Sequence, residues 1–305
     1  MNPPLPSPRL PRRPGPGQAL ALVAPAGVLE DQARQRGLEA LAQLVPERKL
    51  RLSPGVNHGE GYLAGPDQQR AGELSRALGD PAVGAVLAAR GGYGSSRLLP
   101  LLDLEALAAT EKLLVGFSDL TCLLNPLAQR GLVTVHGPTL TQLPRLEDES
   151  RQDLARLLSG RWPWPARLSG LGLVPGRVRG RLWGGNLSLL CHLLGTPHMP
   201  RLEGGILLLE DTNEPPYRLD RMLWQLRLAG VLEQVAGLAL GWLSAREPLA
   251  PEQEEILRRD LLPLGLPLVA GLPLGHGPAN RCLPLGAWAE LDGEAGWLEV
   301  GVDLA

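Results

Sequence analysis

Short apolar runs alternate with stretches of helical periodicity in the N-terminal half of the chain. Residues 31–45 and 67–78 carry apolar side chains at helical spacing, with Asp67 as a candidate N-cap. Continuous apolar runs predict buried strands at 19–25, 83–89, 113–117 and 132–137. Strands that alternate with helices predict βαβ units around a mostly parallel sheet, and therefore an α/β fold.

The periodic pattern stops near residue 161, where Pro, Gly and Trp become frequent. We therefore expect a linker at 163–176 that joins an N-terminal α/β domain, 18–162, to a smaller C-terminal domain, 177–305. The C-terminal part mixes a strand at 204–210 with helices at 219–229 and 251–261. Residues 1–17 are rich in Pro and Arg, which predicts a disordered tail.

Composition excludes several classes of function. A net charge of -2 over 305 residues gives no electrostatic argument for nucleic acid or an anionic membrane as partner. No apolar run approaches the roughly 18 residues of a membrane span, and no signal peptide is recognisable, so we expect a cytoplasmic protein. The three cysteines lie far apart and no H-E-x-x-H pair occurs, which argues against a disulfide framework and a metal site.

Ser118 stands where an apolar strand-like run, 113–117, passes directly into a helix-like one. Serine is a preferred N-cap, because its oxygen accepts a hydrogen bond from an unpaired N–H of the first turn. The same position presents the hydroxyl where backbone donors and the helix dipole favour a developing negative charge. The local pattern leaves both interpretations open.

Three further stretches carry chemically suggestive residues. The glycines of "RGGYG", residues 90–94, free backbone N–H groups to face an anion, although a plain turn after a strand has the same composition. Glu210 ends a predicted buried strand, but acidic residues at strand ends are often only solvated surface. His276 lies between two glycines in a loop, where it is either exposed or free to approach another group.

Serine catalysis needs a nucleophile, a base within hydrogen-bond reach and a carboxylate that holds the base. Ser118, His276 and Glu210 can fill these roles, and their order along the chain occurs in known triads. The stretch "GFSDL" lacks the second glycine of G-x-S-x-G, so the usual hydrolase elbow is not met.

Taken together, six motifs resemble the LD-carboxypeptidases, a family of serine peptidases, over about residues 18–300: "RGGYG", "GFSD", "VTVHGP", "WGGNLSLL", "LEDTNEPPYRLDRML" and "GHGPANRCLPLG". The resemblance implies a parallel-sheet N-terminal domain, a smaller mixed-strand C-terminal domain, and frequent homodimers. It implies no metal and no cofactor. The N-terminal tail matches nothing in the family.

The resemblance also assigns residues. It implies a catalytic Ser118, Glu210 and His276, with Glu210 preferred to Glu214 because the family's glutamate closes the strand in the "LED" element. Backbone N–H groups of Gly92 and Asp119 would form the oxyanion hole. Substrate-binding candidates are Arg90, the arginine nearest to this loop in sequence, together with Tyr93, Trp183 and Asn186.

The implied activity is release of the terminal D-alanine from a murein tetrapeptide during cell-wall recycling. A second possibility within the family is a peptidase that inactivates peptidyl-nucleotide antibiotics of the microcin C type. From another class, the same pattern suits a two-domain protein that binds a small ligand without chemistry.

Overall fold

The computed structural model describes residues 4–244 and 251–301. The chain divides into two compact units, Met1–Pro163 and Trp164–Ala305. Among the described residues, every helix is too short or too polar to cross a bilayer.

The first unit contains a parallel sheet flanked by helices. Its strands pair in the order β5-β4-β3-β1-β2, and all of these pairs are parallel. The strands are β1 (Ala19–Val23), β2 (Leu50–Leu52), β3 (Val83–Ala88), β4 (Leu113–Gly116) and β5 (Thr134–His136), and the helices are α1 (Asp31–Leu44), α2 (Asp67–Gly79), α3 (Leu104–Ala109), α4 (Thr121–Gln129) and α5 (Asp148–Leu158). The predicted α/β fold is confirmed.

The central strands of this sheet are buried along their whole length. All residues of β1, β3 and β4 are buried, as expected for a parallel sheet covered on both faces, and this explains their continuous apolar sequences. Ligands of such sheets bind beyond the carboxyl ends of the strands. The loops that follow β3 and β4 lie at that edge and contain the glycine motif and Ser118.

The second unit contains a mixed sheet of eight strands in the order β6-β14-β13-β8-β9-β10-β11-β7. The run from β8 to β11 is parallel, whereas the outer strands pair antiparallel. The strands of the unit are β6 (Ala166–Ser169), β7 (Leu171–Val174), β8 (Arg177–Asn186), β9 (Ile206–Glu210), β10 (Gly237–Leu240), β11 (Leu268–Ala270), β12 (Leu283–Leu285), β13 (Trp288–Asp292) and β14 (Trp297–Val300), and the helices are α6 (Leu187–Leu193), α7 (Pro216–Leu228) and α8 (Pro251–Asp260).

The segment 163–176, for which the sequence predicts a linker, contains two strands of the second unit. Residues of β6 pair with β14, and residues of β7 pair with β11. The Trp164 indole N–H donates to the carbonyl of Cys282 at 2.8 Å. Both strands are only four residues long and find their partners about a hundred or more positions away, so a local window could not identify them.

Residues 4–17, part of the predicted disordered tail, are hydrogen bonded to the first unit, while residues 1–3 lie outside the described residues. Backbone N–H groups of Arg9 and Arg12 donate to the carbonyls of Gly131 and Glu111, both at 2.7 Å. The Arg48 guanidinium donates to the carbonyls of Pro14 and Gly15, at 3.0 and 2.6 Å. The carbonyls of an extended proline-rich segment have no hydrogen-bond partners within the segment. Here the Arg48 guanidinium provides donors for two of them.

Candidate active site

Ser118 has an unusual backbone conformation. It follows β4 and the buried, extended Phe117, and its φ of 61° lies in the left-handed region. Such a conformation costs a non-glycine residue on the order of 1–3 kcal/mol and occurs often at functional sites. Ser118 opens a 3₁₀ turn that leads into α4. The cap residues of the turn and of α4 are Phe117 and Leu120, and neither provides a side-chain cap. Ser118 is therefore not the N-cap residue of either element.

The glycine loop after β3 lies directly against Ser118. A Cβ atom built on Gly91 would lie 2.9 Å from the Ser118 Cβ, 3.0 Å from its Oγ and 3.4 Å from the amide N of Asp119. Only glycine allows this approach. The carbonyl of Gly91 accepts the N–H of Gly27 at 3.0 Å, and Gly92 has a φ of 101°. The two predicted oxyanion donors, the N–H groups of Gly92 and Asp119, thus belong to two backbone segments in contact.

The Asp119 side chain turns into the protein and fixes the neighbouring loop. Its Oδ2 accepts the backbone N–H of Ser95 at 2.7 Å, and the Ser95 hydroxyl donates to the Asp119 carbonyl at 2.5 Å. Asp119 is fully buried. Burial raises the pKa of its carboxyl, and this effect outweighs the hydrogen bonds from Ser95, which lower it.

Arg70, which the sequence did not single out, connects three loops at this edge of the sheet. Its buried guanidinium donates to the carbonyls of Pro25, Gly65 and Gly94, the last at 2.9 Å, and pairs with Asp67. The sequence indicates the burial of Arg70, because this residue lies four positions before Leu74 and therefore on the buried face of α2.

Arg90 and Tyr93 flank the glycine loop. The Arg90 guanidinium is half-buried and donates through Nη1 to the carbonyl of Val28. Tyr93 is 43% exposed, and its ring contacts that of Tyr62 with 5.8 Å between the centroids. Their predicted role in substrate binding stays a prediction.

In the second unit, Glu210 and His276 form a hydrogen-bonded pair. Glu210 is the last residue of β9 and is fully buried, whereas the His276 side chain is 15% exposed. His276 Nδ1 lies 2.8 Å from Glu210 Oε2. An ionised Glu210 carboxylate would only accept a hydrogen bond, so Nδ1 would then carry the proton and Nε2 would be the basic nitrogen of the neutral ring.

The loop before His276 is shaped to let this pair form. Gly275 has a φ of 112°, and a Cβ built on it would lie 3.0 Å from Glu210 Oε2. Its N–H donates to the Asn280 side chain at 3.2 Å. Glu214, the other acidic candidate, lies 3.6 Å from Arg218 in an i,i+4 ion pair of α7.

Asp211, the neighbour of Glu210, binds residues at the start of α6 instead of His276. Its Oδ2 accepts the N–H and the hydroxyl of Ser188, at 2.9 and 2.6 Å, and its Oδ1 accepts the Asn186 amide at 3.1 Å. Burial raises the pKa of the Asp211 carboxyl, and the charge of Glu210 raises it further. Asp211 thus anchors the start of α6.

Asn186 and Trp183, both predicted to bind substrate, are buried, at 3% and 1% exposure. The Asn186 side chain caps α6 by accepting the N–H of Leu189 at 3.2 Å. The Trp183 ring lies 4.8 Å from the Arg181 guanidinium. Their contribution to a pocket stays a prediction.

The structure therefore brings the candidates together in two sets. Ser118 contacts the glycine loop in the first unit, and His276 binds Glu210 in the second. Within the described ranges, no three His, Cys, Asp or Glu side chains cluster closely enough to hold a metal ion.

Comparison with known proteins identifies the family. Sequence profiles of the LD-carboxypeptidase N-terminal and C-terminal domains match residues 20–137 and 179–291. The murein tetrapeptide carboxypeptidase of Pseudomonas aeruginosa is 38% identical over 290 residues, covering 90% of this chain and 93% of its own length.

Two further relatives support the match. The crystal structure of muramoyltetrapeptide carboxypeptidase from Oxalobacter formigenes superposes with a TM-score of 0.81 at 32% identity, covering 93% of this chain and 99% of that one. The microcin C7 self-immunity protein MccF of Escherichia coli is 27% identical over 306 residues, covering 88% of each chain. This chain belongs to the LD-carboxypeptidase family.

Proposed function

We propose that this protein is a serine LD-carboxypeptidase that releases the terminal D-alanine of a murein tetrapeptide. The observation that carries the proposal is the 2.8 Å hydrogen bond between His276 Nδ1 and Glu210 Oε2. It holds an imidazole in the tautomer that a general base requires. The 38% identity to a murein tetrapeptide carboxypeptidase supports the substrate.

In the proposed reaction, Ser118 Oγ attacks the carbonyl carbon of the L,D-peptide bond while His276 Nε2 takes the hydroxyl proton. His276 then gives this proton to the nitrogen of the departing D-alanine as the C–N bond breaks. Water, deprotonated by the same imidazole, hydrolyses the resulting ester and regenerates Ser118. Glu210 stabilises the imidazolium throughout.

The tetrahedral oxyanion would accept the N–H groups of Gly92 and Asp119. A single donor of this kind contributes about 3–4 kcal/mol in a serine peptidase. The left-handed conformation of Ser118 and the contact of Gly91 with it support this arrangement, because they put two backbone segments beside the hydroxyl.

A carboxypeptidase also binds the free terminal carboxylate, and we assign this role to Arg90. A guanidinium offers five donors, and only Nη1 of Arg90 is used by Val28 in the structure. Tyr93, Trp183 and Asn186 complete the proposed substrate-binding set. We further propose that the protein forms a homodimer, which sedimentation of the purified chain would test.

A second candidate reaction is cleavage of a peptidyl nucleotide, supported by the 27% identity to MccF over 88% of both chains. The same Ser118, His276 and Glu210 would act, and only the leaving group would differ.

Incubation with three substrates separates the candidates: a tetrapeptide ending in D-Ala, its L-Ala twin, and a peptidyl adenylate. We expect a mass loss of one alanine from the D-Ala peptide alone, and at least a 10⁴-fold slower rate for Ser118→Ala. Affinity for the D-Ala peptide without turnover contradicts the proposal and favours a binding protein.

A double variant tests whether Ser118 and His276 act on one carbonyl. Residues of one catalytic unit are strongly non-additive, so Ser118→Ala with His276→Ala should be no slower than either single variant. Multiplicative losses would contradict a shared reaction centre.

A further inference from the structure

A groove rich in arginine opens on the first unit beside the glycine loop. It has a volume of about 550 Å³ and is lined by seven residues, which we call the arginine groove: Arg36, Arg90, Arg145, Glu30, Ala33, Thr141 and Pro144. Volumes between about 300 and 1,000 Å³ are typical of sites for ligands larger than a single amino acid.

Two contacts hold the walls of the arginine groove in place. The N–H of Thr141 donates to the carbonyl of Ala89 at 3.1 Å, which ties the segment Leu140–Arg145 to the end of β3. The other wall is α1 with the residue before it, and α1 packs against the same segment. The groove is therefore built between packed elements, and its position relative to β3 is fixed.

The arginine groove ends at the candidate nucleophile loop. Arg90 directly precedes Gly91, the residue in contact with Ser118. The Nε of Arg90 lies 3.9 Å from the Cβ position of Gly92, so its side chain runs alongside the glycine loop. Arg90 therefore lines the groove and also lies beside the glycine loop that contacts Ser118.

Charge in the arginine groove is unbalanced. It holds three cationic side chains and one carboxylate, that of Glu30. Within the described residues, neither Arg36 nor Arg145 has a carboxylate at salt-bridge distance, whereas Arg34, Arg70 and Arg151 each have one. A neighbouring cavity of about 390 Å³ shares Arg36 and adds Arg151 and Glu39. Positive charge on a concave surface attracts anions.

We propose that the arginine groove binds an anionic group of the substrate in addition to its terminal carboxylate, through Arg36 and Arg145. The proposal rests on the proposed peptidase function and narrows the substrate class to acidic molecules. A carboxylate within a peptide and a phosphate of a peptidyl nucleotide share the relevant chemistry, because arginine binds both through paired N–H donors.

The test compares matched ligands in the parent chain and in the double variant Arg36→Gln with Arg145→Gln. For the carboxylate, the pair is the tetrapeptide with its internal carboxylates free and the same peptide with them amidated. For the phosphate, the pair is AMP and adenosine as inhibitors. Both side chains are exposed, so we expect the variant to fold.

If the bound anion is a carboxylate, the double variant should raise KM for the free-acid peptide by about tenfold, leave kcat within twofold, and leave the amidated peptide unaffected. Added salt should also raise KM for the free-acid peptide more than for its amide. If the anion is a phosphate, the double variant should instead lose the preference for AMP over adenosine. The proposal is overturned if parent and variant have the same ratio of KM for the free-acid and amidated peptides and the same ratio of inhibition by AMP and adenosine.

The matched control is Arg34→Gln. Arg34 belongs to the same helix, pairs with Asp31 at 2.8 Å and does not line the arginine groove, so its loss should change neither preference. Calorimetric binding of the two peptides to the Ser118→Ala chain tests the groove without turnover. Failure of the parent to release D-alanine therefore counts against the proposed function. Equal affinity of the Ser118→Ala chain for the free-acid and the amidated peptide counts against the arginine groove.

Discussion

Ser118 follows β4 with a φ of 61°, whereas Glu210 is the last residue of a regular strand, β9. Around Ser118 the site is made of backbone: a glycine that touches the serine, and N–H groups on two adjacent segments. Around Glu210 it is made of side chains, a fully buried carboxylate and an imidazole 2.8 Å away. Each region lies at the carboxyl end of a parallel strand of its own sheet, and the two regions offer two kinds of chemistry.

This difference predicts two kinds of sensitivity. A site built from backbone fails when a side-chain atom is added, because there is no room for it. A site built from a buried ion fails when a charge is removed at constant shape, because the partner loses its counter-charge. Substitutions that change only volume or only charge therefore test the comparison.

The largest effect is expected for Glu210→Gln, which keeps the shape of the side chain and removes its charge. The corresponding acid-to-amide change in a serine triad costs about 10⁴ in kcat. We expect D-alanine release to slow by about 10³- to 10⁴-fold while the melting temperature shifts by only a few degrees. Kinetics and circular dichroism of the purified variant provide the measurement.

The control for this change is Glu214→Gln, which removes the other acidic candidate and its 3.6 Å ion pair with Arg218. Because an ion pair with the exposed Arg218 contributes little, we expect kcat within twofold of the parent. A severe loss in Glu214→Gln together with a mild one in Glu210→Gln would reverse the assignment of the acid.

Next in size is Arg70→Met, which tests whether the backbone-built region depends on a buried side chain. Three carbonyls lose this donor, while Asp67 keeps its ion pair with Arg97. Leaving buried polar groups unpaired costs about 1–3 kcal/mol each, partly recovered by relaxation, so we expect a loss of about 3 kcal/mol in the free energy of unfolding. Urea denaturation measures it. Arg76→Met, on the exposed side of the same helix, should cost under about 0.5 kcal/mol, and equal losses would contradict the role of Arg70.

Gly91→Ala adds one methyl group where Ser118 leaves no room. Its Cβ would lie 2.9 Å from the Ser118 Cβ, so the serine or the loop must move by a few tenths of an ångström. Misplacement of catalytic groups by about 1 Å can cost 10²-fold, and we expect a loss of roughly 10- to 100-fold in kcat. Gly79→Ala, at the end of α2 with nothing within 4 Å of the new atom, should leave kcat unchanged. An active Gly91→Ala enzyme would show that the glycine loop is not part of the reaction centre.

The sequence predicts the strands and helices whose apolar pattern is clear within a short window. It does not predict the strands that are stabilised only by pairing with distant strands. The buried strands β1, β3, β4 and β9 were identified to within a few residues, because continuous apolar runs are local. The sequence pattern predicts a linker where β6 and β7 lie, because each of these strands is stabilised by a distant strand rather than by its own pattern. Asp67, predicted as an N-cap, is the first residue of α2, and Pro66 holds the cap position.

For the candidate site, the sequence indicated the residue types but not their surroundings. The pair of Glu210 with His276 was proposed from motifs, and its 2.8 Å contact is visible only in the fold. Asp119 was chosen for its N–H group, and its side chain holds Ser95. That bond joins loops 24 residues apart, which no local pattern encodes.

The smallest expected effect is a pH dependence of stability that comes from the buried aspartates of the two regions. Burial raises the pKa of the Asp119 carboxyl above its ordinary value of 3.8. A carboxyl with a raised folded pKa holds its proton longer in the native state than in the unfolded state. Its contribution to stability is therefore complete below the unfolded pKa and is lost as pH rises through the folded pKa.

Asp119→Asn removes this titration, and the amide oxygen of the asparagine can still accept the Ser95 N–H. The free energy of unfolding of Asp119→Asn, relative to the parent, should increase from pH 4 to pH 7 in urea titrations. Asp211→Asn should behave differently, because both oxygens of Asp211 accept hydrogen bonds and one must become a donor. We expect it to be destabilised at every pH, and because the pKa of Asp211 is raised as well, this loss should become smaller as pH rises. A flat pH difference for Asp119→Asn would show that its carboxyl titrates alike in the folded and unfolded chains, and the contrast between the two buried aspartates would then rest on hydrogen bonding alone.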